Sequence, residues 1–215
     1  MTTSSFATLM HNKPDWALQV SSPRDFALMR TAQQRPTVAF APLAFSQQAQ
    51  DYIASLNIKQ DVFANTRRTP GGLYKPFGVS GWHADPALSH KARALFEKQI
   101  CTSLPNRPGR DEIAHTLSGA YADVASALDR KHLRFALTVL SDVPKWSIHE
   151  DAGQPYTAGI VLRDGGTFVL PSGSCPRSAR QVHSDFDIDY RAEDCQLEQG
   201  RHMPERSLCL WTENV

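Results

Sequence analysis

From Leu133 onward this 215-residue chain reads as β, with separate runs of period-two hydrophobic pattern. Leu133, Phe135, Leu137 and Val139 alternate with Arg134, Ala136 and Thr138. Further on, Val182, Phe186, Ile188 and Tyr190 alternate with His183, Asp185, Asp187 and Asp189. Successive side chains on a strand point to opposite faces, so each run has one face to bury and one to leave wet. Thr157 to Leu162, Thr167 to Leu170 and Arg206 to Trp211 read as further strands. Arg163-Asp164-Gly165-Gly166 joins the first two of these as a hairpin-like turn.

The earlier part of the chain has a helical period. Ile113, Leu117, Ala120, Val124 and Leu128 make one apolar stripe on a helix opened by Asp111. Ser46 is placed to cap a helix running to Leu56, and a third helix is expected from Ser89 to Ile100. Thr37 to Phe40 is a short strand. Arg67 to Gly81, with Pro70, Gly71, Gly72 and Pro76, reads as a loop, and Leu104 to Arg110 as a linker. Residues 1–36 carry Pro14, Pro23 and Pro36 and little pattern. Helices followed by strands predict an α+β chain, with N-terminal helices packed on an antiparallel sandwich or barrel. The expected organisation is a single domain over 1–215, mainly helical over 1–130 and β-rich over 131–215.

Composition bounds the function classes. A formal net charge of +1 argues against a dedicated nucleic-acid binder, which carries a basic excess. No run of 18 apolar residues is present, so no membrane span is expected. Met1 to Trp16 lacks the basic and apolar regions of a signal peptide, which points to the cytoplasm. Cys101, Cys175, Cys195 and Cys209 are widely spaced without a CxxC pair, and in a reducing compartment they read as free thiols.

The chemistry centres on Trp146-Ser147-Ile148-His149-Glu150-Asp151. On an extended strand His149 and Asp151 share a face, opposite Trp146 and Ile148. An imidazole beside a carboxylate offers two ligands to a divalent metal. One more histidine completes a 2-His-1-carboxylate triad, which leaves coordination positions open and suits Fe(II) oxygenase chemistry. The plain alternative is a surface pair on a half-exposed strand. His83 and Asp85 repeat the spacing, but Pro86 follows, and a helix-entry turn explains Asp85 better.

For the third ligand His183 is preferred because it sits in a convincing strand, 32 residues after Asp151 and 23 before Arg206. His202 is the alternative, 51 residues after Asp151 and four before Arg206. Other readings stay open. His183 with Asp185, Asp187 and Asp189 suits the solvated face of an edge strand. Cys175, His183, Cys195 and His202 offer a Cys2His2 zinc set, although their spacing matches no standard finger. Arg206 could pair with Glu205 or Glu213, and His90, His115 and His132 read as surface residues. The chain holds no Gly-rich phosphate loop with a lysine and no GxSxG.

The order His149-Glu150-Asp151, the strand Tyr156 to Leu162, Gly165-Gly166, a later histidine and Arg206-Ser207-Leu208-Cys209-Leu210-Trp211 resembles the double-stranded β-helix of Fe(II)/2-oxoglutarate dioxygenases. The resemblance is confined to the β-rich part. It implies a jelly-roll, cupin-like core of eight strands. It also implies Fe(II) held by His149, Asp151 and either His183 or His202. The cosubstrate 2-oxoglutarate would chelate the iron, its far carboxylate pairing with Arg206. The expected activity is oxidation of a small molecule or a protein side chain. A cupin-type enzyme without 2-oxoglutarate is disfavoured by the missing HxH spacing. The competing class is a non-catalytic β-sandwich binding module, with or without a structural zinc.

Overall fold

The computed structural model describes residues 16–31, 38–57, 73–80, 86–129, 134–140, 148–150, 156–163, 168–171, 173–184 and 187–212. In chain order the strands are β1 (Ala17–Gln19), β2 (Val38–Pro42), β3 (Leu73–Ser80), β4 (Arg134–Leu140), β5 (Ile148–Glu150) and β6 (Tyr156–Ile160). Then follow β7 (Phe168–Val169), β8 (Arg180–Ser184), β9 (Asp187–Tyr190), β10 (Arg201–His202) and β11 (Ser207–Thr212). The helices are α1 (Leu28–Thr31), α2 (Gln47–Ser55), α3 (Pro86–Ser103) and α4 (Arg110–Ala127). The architecture is mixed α+β. By backbone contacts the chain falls into two units, Met1–Ser22 with Phe26–Pro42 and Ser147–Val215, and Pro23–Asp25 with Leu43–Trp146.

The first unit carries a four-stranded mixed sheet in the order β1-β2-β11-β6. β1 runs parallel to β2, and the other two pairings are antiparallel. The middle strands are mostly apolar. Val38 to Ala41 and Ser207 to Leu210 are all buried, as expected of strands covered on both faces. Ala17, Val38, Phe40, Met203 and Cys209 form a core cluster against which Trp16, Val169 and Trp211 pack. Each large side chain so buried contributes about 1.5–3 kcal/mol. Gly159 stands opposite Cys209 in the β6–β11 register. Two smaller ladders complete the unit, β10-β7 and β5-β9-β8.

In the second unit α3 and α4 pack together, Phe96 meeting Tyr121 edge-on with ring centroids 5.6 Å apart. The expected stripe of α4 is buried at every position, Ile113, Leu117, Ala120, Val124 and Leu128. Gly109 precedes α4 with φ +98°, and an added Cβ would come within 2.6 Å of the Gln48 carbonyl oxygen, so only glycine fits there. α2 begins after Ser46, whose hydroxyl accepts the Ala49 N–H. α3 starts at Pro86, earlier than Ser89, because proline at the first turn gives up an N–H that has no partner there anyway. Among the described residues no helix is long and apolar enough to cross a membrane.

Several expectations are corrected. Arg67 to Gly81 is not all loop: β3 occupies Leu73–Ser80 and pairs antiparallel with β4. Its register shifts between Tyr74 and Phe77, the interval that holds Pro76. Proline cannot donate to a ladder, and an irregularity accommodates it. The run from Val182 to Tyr190 is two strands, with β8 folding back on β9. β6 and β7 form no hairpin: β6 pairs with β11 and β7 with β10. Strand β1 lies within the part that carried little pattern. Among the described residues the sheets do not close into a barrel or jelly roll.

The cysteines also depart from expectation. Cys175 and Cys195 form a disulfide with their Cα atoms 4.4 Å apart, and Cys101 and Cys209 remain free. The return of β9 along β8 brings together two cysteines that are 20 residues apart in sequence, close enough for a bridge.

Candidate functional site

The histidine of the HxD motif is on β5, the shortest strand of the three-stranded ladder. There His149 stands opposite Asp189 of β9, with Ile148 opposite Tyr190 and Glu150 opposite Ile188. On the other side of β9, Gln181 of β8 stands opposite the same Asp189. The β8–β9 register shifts by one residue between Val182 and Ser184, which is the position of His183. Bulges of this kind are over-represented beside active sites, where they re-aim a residue. His149 and His183 thus belong to strands that flank one central strand. Asp151, like Asp185, His83 and Asp85, lies outside the described residues.

His202 is placed differently. It lies on the separate β10-β7 ladder opposite Phe168, exposed, with its ring 5.0 Å from the phenyl centroid at 55°. Arg206 sits just before β11 rather than opening it. Its backbone N–H donates to the Val161 carbonyl at 2.9 Å, its φ is 58°, and it is half-buried.

The Cys2His2 zinc set is removed by the disulfide, because Cys175 and Cys195 no longer offer thiolates. Around that bridge the Ser174 hydroxyl donates to Gln199 Oε1 at 3.1 Å, and the Gln196 N–H donates to the Ser174 carbonyl at 2.8 Å. Of the free cysteines, burial pushes the Cys209 thiol up to about 12, so it stays protonated and unreactive. Burial, ahead of the neighbouring charges, also raises the Cys101 thiol. In the second unit His115 Nδ1 lies 3.6 Å from Glu97, and the Ser118 hydroxyl donates to Glu97 at 3.1 Å. The buried Ser118 hydroxyl therefore engages the carboxylate and not the imidazole, and this trio lacks the nucleophile–base bond of an acyl-transfer site. Among the described residues no three His, Cys, Asp or Glu side chains gather in a metal-holding group.

Sequence patterning put Asp189 on the polar face of the His183 strand but gave no sign that it stands opposite His149. Only the pairing of β5 with β9 shows that relationship. No protein-family model, characterised protein or solved structure matches this chain.

Proposed function

We propose that the chain is a non-haem Fe(II)/2-oxoglutarate-dependent oxygenase, built on the double-stranded β-helix plan, with its metal held at the β5-β9-β8 ladder. One observation carries this reading. His149 and His183, distant in sequence, stand on the two strands that pair with β9. Two imidazoles and a carboxylate are the donor set that a facial triad needs, so the chemistry of the residues fits the ion. The strand after His149, β6, pairs with the last strand, β11. His202, on another ladder, is the weaker third ligand.

Arg206 is assigned to the cosubstrate. A non-glycine residue with positive φ costs free energy, and such residues cluster at ligand clamps. Its guanidinium is suited to grip the far carboxylate of 2-oxoglutarate through two parallel hydrogen bonds. Iron and cosubstrate, when bound, supply the activation of dioxygen; the chain positions the substrate, a small molecule or a protein side chain. The test is a titration of 2-oxoglutarate into the Mn(II)-loaded protein, followed by succinate release with Fe(II). Metal-dependent binding is expected, and its absence in both assays overturns the reading.

A second reading, a non-catalytic β-sandwich binding module, is favoured by the Cys175–Cys195 bridge, which staples the segment carrying β8 and β9. It predicts neither metal nor 2-oxoglutarate binding.

A further inference from the structure

We propose that the Cys175–Cys195 bridge is a reversible redox switch: a low-molecular-weight thiol opens it by exchange, and opening loosens the strands it encloses while the rest of the chain stays folded. Iron plays no part in the switch, so it stands apart from the oxygenase reading. Both cysteines are half-buried, and Gly173, Pro176, Arg177, Asp194 and Gln196 around them are exposed. A thiolate from solvent can therefore approach either sulfur, as exchange requires. Cys209 is buried and out of its reach. Exchange runs in two balanced steps. A thiolate attacks one sulfur to form a mixed disulfide, and the other cysteine leaves as a thiolate that takes up a proton. A second thiol then attacks the mixed disulfide, frees the first cysteine and departs as the small-molecule disulfide. The bridge gains the electrons and protons that the two thiols lose.

Reversibility follows from weak bonds that hold the pair from both sides. Outside the bridge the Gln196 N–H donates to the Ser174 carbonyl at 2.8 Å, and the Ser174 hydroxyl donates to Gln199 Oε1 at 3.1 Å. Inside it Arg180 of β8 stands opposite Tyr190 of β9, and Arg191 Nη2 donates to the Ser178 carbonyl at 3.4 Å. None of these bonds needs the sulfurs. The opened thiols stay neighbours at high effective concentration, and reclosing is intramolecular. The enclosed strands nevertheless open more often once the covalent closure is gone, because the freed loop has more conformations to open into. β9 also pairs with β5, so the loosened segment includes the middle strand of that ladder.

The plain alternative is a structural bridge, too stable for a glutathione pool to reduce. Equilibrating the full chain in glutathione buffers of graded reduced-to-oxidised ratio, then alkylating and reading peptide masses, separates the two. The expected result is a transition in which Cys175 and Cys195 become alkylated together while Cys209 stays protected. Return to oxidised glutathione should restore the Cys175–Cys195 pair. In the reduced form, amide hydrogen exchange should quicken at least about tenfold over Asp187–Tyr190 and stay unchanged in α4. Cys175→Ser combined with Cys195→Ser should show the same fast exchange and no response to glutathione. Should that variant fail to fold, the wild-type measurements decide alone. A bridge that stays closed at every ratio, or opens only when Cys209 becomes reactive, overturns the switch. So does reoxidation to other partners, or unaltered exchange in β9.

Discussion

Ser46 meets the carboxylate of Glu112 twice: its backbone N–H donates to Oε1 at 2.6 Å, and its hydroxyl donates to Oε2. The same hydroxyl oxygen accepts the Ala49 N–H at 3.3 Å. One side chain thus caps α2 and ties it to the first turn of α4. Glu112 is well placed there, since a negative charge near a helix N-terminus is favourable.

The two Ser46 bonds, that of the side chain first and then that of the backbone, hold the Glu112 carboxyl below the ordinary glutamate range. The unfolded state therefore binds a proton more readily than the folded state. The stabilisation is complete above the ordinary glutamate pKa and is lost as pH falls through the depressed folded value. Urea unfolding at a series of acidic pH values should show Glu112→Gln with a flatter acid limb than the wild type. Ser46→Ala removes the cap as well and should cost about 0.5–2 kcal/mol at neutral pH. Equal acid limbs would refute the linkage.

Trp211 lies across Gly159, where an added Cβ would come 3.0 Å from the indole Cη2. Gly159→Val should force the ring aside and lower stability by about 1–3 kcal/mol, as overpacking does. Denaturation midpoints would show this. Combining Gly159→Val with Trp211→Leu should cost less than the sum of the single changes, because the clash is with the ring; strict additivity would argue against the contact.

The Cys175–Cys195 bridge closes the loop that holds β8 and β9. Replacing both cysteines by serine should remove about 2–4 kcal/mol of stability by freeing the unfolded chain. Limited proteolysis should then cut between residues 176 and 194 faster than in the bridged protein. Alkylation followed by mass analysis should find Cys209 protected until unfolding, in keeping with its burial. Two more alkylated thiols in the untreated protein would contradict the bridge.

Arg206 offers a test of the cosubstrate assignment that separates backbone from side chain. Its φ of 58° is one that glycine adopts freely. Arg206→Gly should therefore keep the turn while deleting the guanidinium. An Arg–carboxylate contact contributes roughly 1.5–3 kcal/mol, so 2-oxoglutarate affinity should fall about ten- to a hundredfold. Arg206→Lys keeps charge without the fork and should lose less. Mn(II) affinity should not change in either variant. Unaltered 2-oxoglutarate binding in both would remove Arg206 from the site.

The elements that depend on near neighbours were legible in the chain itself. The α4 stripe from Ile113 to Leu128 and the Ser46 cap follow from contacts within a few residues, where helical spacing is its own record. The run from Arg206 to Trp211 likewise announced a strand, β11. Pairing was not legible, because a strand's partner is chosen by contacts far away in sequence. The period-two run from Val182 to Tyr190 is equally consistent with one strand or with two that fold back, since alternation survives a tight reversal. Arg163 to Gly166 resembled a hairpin turn, yet β6 pairs with β11 and β7 with β10. The disulfide and the opposition of His149 to Asp189 are likewise consequences of register. Residue chemistry nominated candidate ligands, and the tertiary structure determined which of their strands are neighbours, because ladder register is settled by burial across the whole sheet.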